Sequence, residues 1–336
     1  MIVTPIHFTP PYVRSLLFPL LHFELKLRLL NSLSTLFIDI EHGFGTRNCC
    51  LMAMESLKKS LLSFGGSREE LRQEFRKIVE LLKNTSPRIA LLMFVVFDLF
   101  EAFESTFDSR KSISEDQEFL EKYVQEIEQK REERFQKLLS FSESTVDSGD
   151  TILLHDVSRT TFDILHHAQV QGKTFQVVIA EQEESKTSTI IRFLDAEGIP
   201  FQVVPEYLLT HVKESLTKVF LGALTMNSLL EIIGDPGTES IVSQMHLSQI
   251  PIYVSLTTDK LSLWEAEKKH HRCKTQKRKL NADIEYEKVA FSHDRYPIHL
   301  IDFFITNKGV LSAAEMKSLY EEYYGKSQIW REKNKV

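Results

Sequence analysis

The feature that most narrows the fold lies after Asp147, where short, apolar, β-branched segments begin to alternate with helix-like ones. The short segments are TILLH (151–155), TFQVVIA (174–180), PFQVV (200–204), KVFLG (218–222) and PIYVS (251–255). Between them lie RTTFDILHHAQVQG, SKTSTIIRFLDAEG, EYLLTHVKES and TESIVSQMHLSQ, which read as helices. Gly172 and Gly198 stand where left-handed helix caps belong. Strands that alternate with helices in this way predict a parallel, doubly wound α/β sheet. A last strand, DFFIT (302–306), leads through a turn at Lys308-Gly309 into a closing helix, SAAEMKSLYEEYY.

The first half lacks that rhythm and reads as helix after helix. In SREELRQEFRKIVELLKN (67–84), Ser67 and Glu70 have capping-box spacing, and Leu71, Phe75, Ile78, Leu81 and Leu82 form an apolar stripe. The apolar run Ile89 to Phe97 falls well short of the ~20 residues that span a bilayer, so it predicts a buried helix. Residues 114–141 predict a long charged helix with Phe119, Val124, Ile127, Phe135 and Leu138 on one side and a solvated face opposite. The expected domains are an N-terminal extension (1–36), a helical domain (37–146), an α/β domain (147–325) carrying a basic insertion (264–286), and a C-terminal tail (326–336).

Length and composition allow this plan. With 336 residues, 42% hydrophobic and 26% charged, the chain can bury two ordinary cores. A formal net charge of −6 argues against nucleic-acid binding by bulk charge. Three cysteines, Cys49, Cys50 and Cys273, form no disulfide framework, so a reducing, cytoplasmic setting is expected. The N-terminus has no charged start, its apolar run is broken by Arg14 and prolines, and no small-residue cleavage site follows. Neither a signal peptide nor a membrane association is expected.

The insertion carries seven cations between 268 and 279: Lys268, Lys269, Arg272, Lys274, Lys277, Arg278 and Lys279. Its default reading is a solvated loop. The alternative is a patch for an acidic partner or nucleic acid. His270, His271 and Cys273 are too few ligands for a structural zinc, and no metal or cofactor is expected.

In an open parallel sheet, ligands sit beyond the carboxyl ends of the strands. That rule selects His155, Asp156, Ser158 and Arg159 after the first strand, and Glu181, Gln182, Glu183 and Glu184 after the second. It selects Ala223 and Leu224, next to Gly222, after the fourth, and Thr257, Thr258, Asp259 and Lys260 after the fifth. The acidic rim after strand two disfavours a phosphorylated ligand there. No GxGxxG, P-loop or GxSxG motif is present. Ser158, His155 and Asp156 lie too close together on one turn to form a catalytic relay. His155 with Asp156 could move a proton, or His155 could simply bond a neighbouring loop.

The order of these segments resembles one family. GDTILLHDVSRTTFDIL, GKTFQVVIAE, AEGIPFQVV, KVFLGA, the Gly237-Thr238 pair, IPIYVS, TDKL and HDRYPIHLIDFFITNKGVLS follow one another as in the initiation factor 2B alpha/beta/delta regulatory subunits. Ribose-1,5-bisphosphate and methylthioribose-1-phosphate isomerases belong to the same family. Upstream, IEHGFGTRNCCLMAMESL and EQKREERFQKLLS fit its helical half, so the resemblance covers roughly residues 37 to 325. It implies a helical N-terminal domain, a Rossmann-like, mainly parallel sheet of the NagB/RpiA/CoA-transferase-like type, and a homodimer or family hetero-oligomer.

For the isomerases the resemblance implies a Cys after the strand-one His, an Asp after the Gly-Ala pair, an Arg after strand two, and an Asn-Lys pair before the Gly-Thr. Here Asp156, Leu224, Glu183 and Gly234-Asp235 occupy those positions. Asp156 and Leu224 are therefore vestigial catalytic positions. The pocket candidates are His155, Asp156, Ser158, Arg159, Glu181, Glu183, Gly222, Ala223, Asp235, Gly237, Thr238 and Lys260. The expected function is a non-catalytic, initiation-factor-2B-like regulatory or scaffold protein. The alternative is a divergent isomerase, or a metabolite-binding protein with an altered ligand.

Overall fold

The computed structural model describes residues 27–83, 89–105, 112–266, 273–279 and 284–334. The signal-peptide reading, Lys268, Lys269, Arg272 and the His270-His271 pair fall outside the described residues. Two compact units divide the chain, with the later boundary between Glu128 and Gln129.

The first unit is helical. It draws on α1 (Leu27–Leu62), α2 (Arg68–Lys83), α3 (Ala90–Ser105) and the first half of α4 (Ile113–Ser142). Gly45 breaks the α1 path with φ 75°, ψ 158°, a conformation that side-chain-bearing residues avoid. Ser67 starts α2 as its spacing predicts: its N–H donates to Glu70 Oε2 at 2.7 Å, and the Glu70 N–H donates to Ser67 Oγ at 3.3 Å. Donation to Oε2 from the Ser67 N–H, and from the Ser67 hydroxyl at 2.9 Å, holds the Glu70 carboxyl below the usual range. Leu91, Leu92, Val95, Val96, Leu99 and Phe103 are buried, so α3 is apolar around much of its girth, as buried helices are. One charge of α4 departs from the expected solvated face: Asp116 is buried and accepts from Arg68 Nη2 at 2.7 Å.

The second unit holds a seven-stranded sheet in the order β12-β11-β7-β4-β1-β2-β3. Its strands are β1 (Thr151–Leu154), β2 (Gln176–Glu181), β3 (Phe201–Pro205), β4 (Lys218–Gly222), β7 (Ile252–Ser255), β11 (Phe303–Thr306) and β12 (Gly309–Leu311). All neighbours are parallel except β11 and β12. Helices α5 (Arg159–Val170), α6 (Glu184–Glu197) and α7 (Thr238–Leu247) form the crossovers, and α8 (Ala313–Asn334) follows β12. Ile152, Leu154, Ile164, Ile179, Ile190 and Phe220 are buried in one core cluster, and Phe162 stacks on Phe193 with centroids 4.3 Å apart.

Three parts differ from the sequence reading. EYLLTHVKES is not an α-helix but two 3₁₀ turns, Glu206–His211 and Lys213–Ser215. Leu209 is their one buried residue, so there is no apolar stripe to hold an α-helix in place. A second, antiparallel sheet of β5 (Thr225–Met226), β6 (Glu231–Gly234) and β10 (Asp294–Pro297) was not anticipated, because its strands are too short to show periodicity. The basic insertion is not a loop throughout: β8 (Cys273–Lys279) and β9 (Glu285–Phe291) form an antiparallel hairpin. Lys277 faces Glu287 and Lys279 faces Glu285, so cross-strand charge pairs replace the apolar alternation that would have marked the strands.

Candidate functional site

The strand order reverses between β4 and β1: from β1 the chain proceeds outward to β2 and β3, then returns to β4 and proceeds the other way. Ligands of open α/β sheets bind at such a switch point, outside the strand carboxyl ends. The β1 turn delivers His155 and Asp156 there, and the end of β4 delivers Gly222, Ala223 and Leu224.

Asp156 is buried, and its Oδ2 accepts from the Gly222 N–H at 2.6 Å. Its Oδ1 is buried without a partner. Burial, reinforced by the charge of Asp235, pushes the Asp156 carboxyl up to about 7. The contact needs a glycine at 222, where a Cβ would lie 2.5 Å from Ser158 Cβ and 2.9 Å from Asp156 Oδ2. Ser158 turns toward its own helix and caps α5, accepting from the Thr161 N–H at 3.2 Å.

His155 is fully buried. Its Nε2 lies 3.0 Å from the Pro236 carbonyl, which can only accept, so Nε2 carries the proton. Nδ1 is then an unprotonated acceptor, buried without a partner. Burial lowers the pKa of this imidazole and keeps it neutral.

Around this pair lie groups that the sequence reading did not single out. Lys186, in the first turn of α6, pairs with Asp235 at 2.5 Å. Asp294 accepts from the N–H groups of Gly237 (2.8 Å) and Glu239 (3.2 Å), so a carboxylate of the chain fills the N-terminus of α7. Such a terminus is otherwise a natural phosphate site. Glu206 approaches Gly237 closely, and burial, then the Asp294 charge, raises its pKa. The Tyr296 hydroxyl is buried without a partner beside Gly234, and burial, then the charge of Asp156, raises its pKa. Asp294 and Tyr296 both belong to HDRYPIHLIDFFITNKGVLS, one of the segments that carry the resemblance, and that was their available signal. Lys186 and Glu206 carried none.

The remaining candidates disperse. Arg159 is exposed and lies 3.8 Å from Asp163 on its own helix. Glu181, Glu183 and Glu184 are exposed, while Gln182 leaves Nε2 buried without a partner. Thr238 is buried and donates to the Asp235 carbonyl at 2.7 Å. Lys260 is buried and donates through Nζ to the Ala223 carbonyl at 2.6 Å. Asp259 lies 3.8 Å from Arg131 and 3.7 Å from Arg134. Leu224 is buried, and its N–H donates to the Ile233 carbonyl at 2.8 Å, tying it to the small sheet.

A profile of the Initiation factor 2 subunit family matches residues 43–313. The chain belongs to this family. Among relatives of known name, an eIF-2B subunit 2-like protein of Pyrococcus furiosus is 26% identical over 149 residues, covering 44% of this chain and 54% of the relative. The eIF2B delta subunit of Schizosaccharomyces pombe is 30% identical over 118 residues, covering 35% of this chain and 25% of the subunit. The initiation-factor-2 fold is seen directly in a chain of the tetrameric eIF2B beta2-delta2 complex from Chaetomium thermophilum. That chain superposes with a TM-score of 0.67 at 16% identity, covering 94% of this chain and 99% of the other. A Pyrococcus horikoshii eIF-2B structure gives 0.63 at 18% identity, covering 90% and 98%. The fold reading, a helical N-terminal region and a Rossmann-like, mainly parallel sheet, holds. Among the described residues, no helix is long and apolar enough to cross a membrane.

Proposed function

We propose that this chain is a non-catalytic, initiation-factor-2B-like regulatory or scaffold protein. It acts in the cytoplasm on translation initiation through protein–protein contacts, as a homodimer or a member of a family hetero-oligomer. The observation that carries the non-catalytic part is the engagement of Asp156. It stands where the isomerases of the resemblance have a Cys, yet one oxygen of its carboxyl, Oδ2, is engaged by the Gly222 N–H and lies against Gly222. Leu224, where those enzymes have an acid, carries no proton to exchange. The amides that could hold phosphate at α7 already hold Asp294. Lys186, a cation that acts on both His155 and Asp156, is matched by Asp235. A sugar phosphate would meet carboxylates here rather than a cradle.

The relatives support the contact-based part, since one solved neighbour is a beta2-delta2 tetramer. The matched segments span only about half or less of the named relatives, so their whole-protein activities are part of the proposal. Affinity capture of the tagged full chain from its native cells, with native mass of the eluate, tests this. Recovery in a dimer or with initiation-factor subunits is the expected result. A 39.0 kDa monomer without partners contradicts it.

A second reading rests on a different observation. His155 Nδ1, Asp156 Oδ1, Gln182 Nε2 and the Tyr296 hydroxyl are buried side-chain atoms without partners near one sheet edge. Buried polar groups normally find partners, so a neutral or cationic metabolite would be the altered ligand of this site. Thermal-shift screening against amines and unphosphorylated sugars separates the two readings, and a shift abolished by Asp156→Asn favours this second one.

A further inference from the structure

The seven-stranded sheet ends differently at its two edges. At one edge β12 has three residues, none of them exposed. At the other, β3 runs from Phe201 to Pro205 and pairs only with β2 among the described residues. Phe201 is 36% exposed and Val203 38%, and Gln202 between them is exposed as well. Directly after the strand, in the 3₁₀ turn, Tyr207 is 83% exposed and Leu208 37%.

Soluble proteins usually blunt such an edge with lysines, inward charges or bulges. β3 carries no charge on either face: alternation puts Phe201, Val203 and Pro205 on one and Gln202 and Val204 on the other. The acid that follows, Glu206, turns toward the switch point, with Oε2 close to Gly237. Backbone directions fix which polar groups are left over. The Val177 N–H of β2 donates to the Pro200 carbonyl at 2.9 Å. Alternation then points the N–H and C=O groups of Gln202 and Val204 at β2, and those of Phe201 and Val203 outward. Pro205 also faces outward, with a carbonyl but no N–H.

We propose that β3 pairs antiparallel with β3 of a second copy of this chain, about a two-fold axis at Val203, joining the two sheets edge to edge. In this register Val203 exchanges two bonds with its own equivalent, as directly opposed residues of an antiparallel pair do. The Phe201 N–H meets the carbonyl of the other copy's Pro205. Every outward N–H of the strand is thus answered, and the one that Pro205 lacks is not needed. Phe201, Val203 and Pro205 of both copies form one apolar strip, and no like charges are set opposite each other. The second strand begins beside Tyr207 and Leu208 and covers them. β3 is therefore its own complement, as an isologous two-fold contact requires, whereas it has no ion to select a charged strand of another protein. The inference rests on the homodimer of the proposed function and names its surface.

The test uses the purified full chain. Sedimentation should show a concentration-dependent dimer, and Val203→Lys, which sets two lysines opposite each other, should weaken it at least about tenfold. Opposed residues of such a pair stand about 5.5 Å apart at Cα, within disulfide reach. Val203→Cys should therefore give a disulfide-linked dimer on mild oxidation, above the level of the unmodified chain. Gln202→Cys, whose equivalents lie more than about 7 Å apart, should not. The cysteine pair decides the matter even where Val203→Lys fails to fold. A dimer that a folded Val203→Lys variant keeps at full affinity would overturn the β3 surface, as would equal cross-linking of the two cysteine variants. Either result leaves the homodimer standing. A monomeric unmodified chain would also overturn the inference and assign the edge to another protein, while capture from native cells still decides the contact-based function.

Discussion

The switch point of the sheet and the β8–β9 hairpin handle polar groups in opposite ways. At the switch point, His155, Asp156 and Tyr296 are buried, and Asp294 and Asp235 are answered by the chain's own amides and Lys186. On the hairpin, ions and large apolar side chains stand in water. The first region answers most of its charges from within the chain. The second leaves Tyr286 and Val289 about half exposed.

The sharpest way to break this contrast is to remove the buried charge. Asp156 has a folded pKa of about 7 against an ordinary 3.8. From about pH 4 to about pH 7 the folded chain holds a proton that the unfolded chain releases, so stability falls with pH through that window and levels off above it. Asp156→Asn should abolish the slope. Thermal melts at pH 8 should show a gain of roughly 3–4 kcal/mol, with little change at pH 4. An unchanged slope would mean that Asp156 is solvated and the site open.

Next comes Gly222→Ala, whose Cβ would meet Ser158 and Asp156 within 3 Å. Urea titration should show a loss of about 2 kcal/mol, because Ser158 Cβ, 2.5 Å away, is fixed to the backbone and cannot swing aside. Tolerance of alanine would show room at the switch point. A smaller effect belongs to Ser158→Ala, which removes the α5 cap and should cost about 1 kcal/mol in the same titration. The smallest is on the hairpin: Lys279→Ala breaks a pair that is about two-thirds exposed and should change stability by under about 0.5 kcal/mol. A larger loss would mean that the hairpin is packed rather than exposed.

The parallel core was legible because each strand carries its signal locally. TILLH, TFQVVIA and KVFLG are short and apolar, and Gly198 closes α6 in the left-handed conformation its position predicted, at φ 67°. The convergence of Lys186, Glu206, Asp235 and Asp294 was not legible, since those residues come from four separate parts of the chain and meet only through tertiary packing. The hairpin was not legible for another reason: strands that mix ions and apolar side chains on each face lack the period-2 contrast that identifies half-buried ones. Asp156 was legible as a substitution at a position of chemistry. What it does there, accepting the Gly222 amide and losing its access to solvent, needed coordinates.

A switch point closed in this way is expected to do no chemistry on sugar phosphates. The direct measurement incubates the purified full chain with ribose-1,5-bisphosphate and, separately, with methylthioribose-1-phosphate, and follows each ketose product over time. No formation above the protein-free control is the expected result. Turnover of either substrate at an enzymatic rate, lost on Asp156→Asn, would contradict the claim.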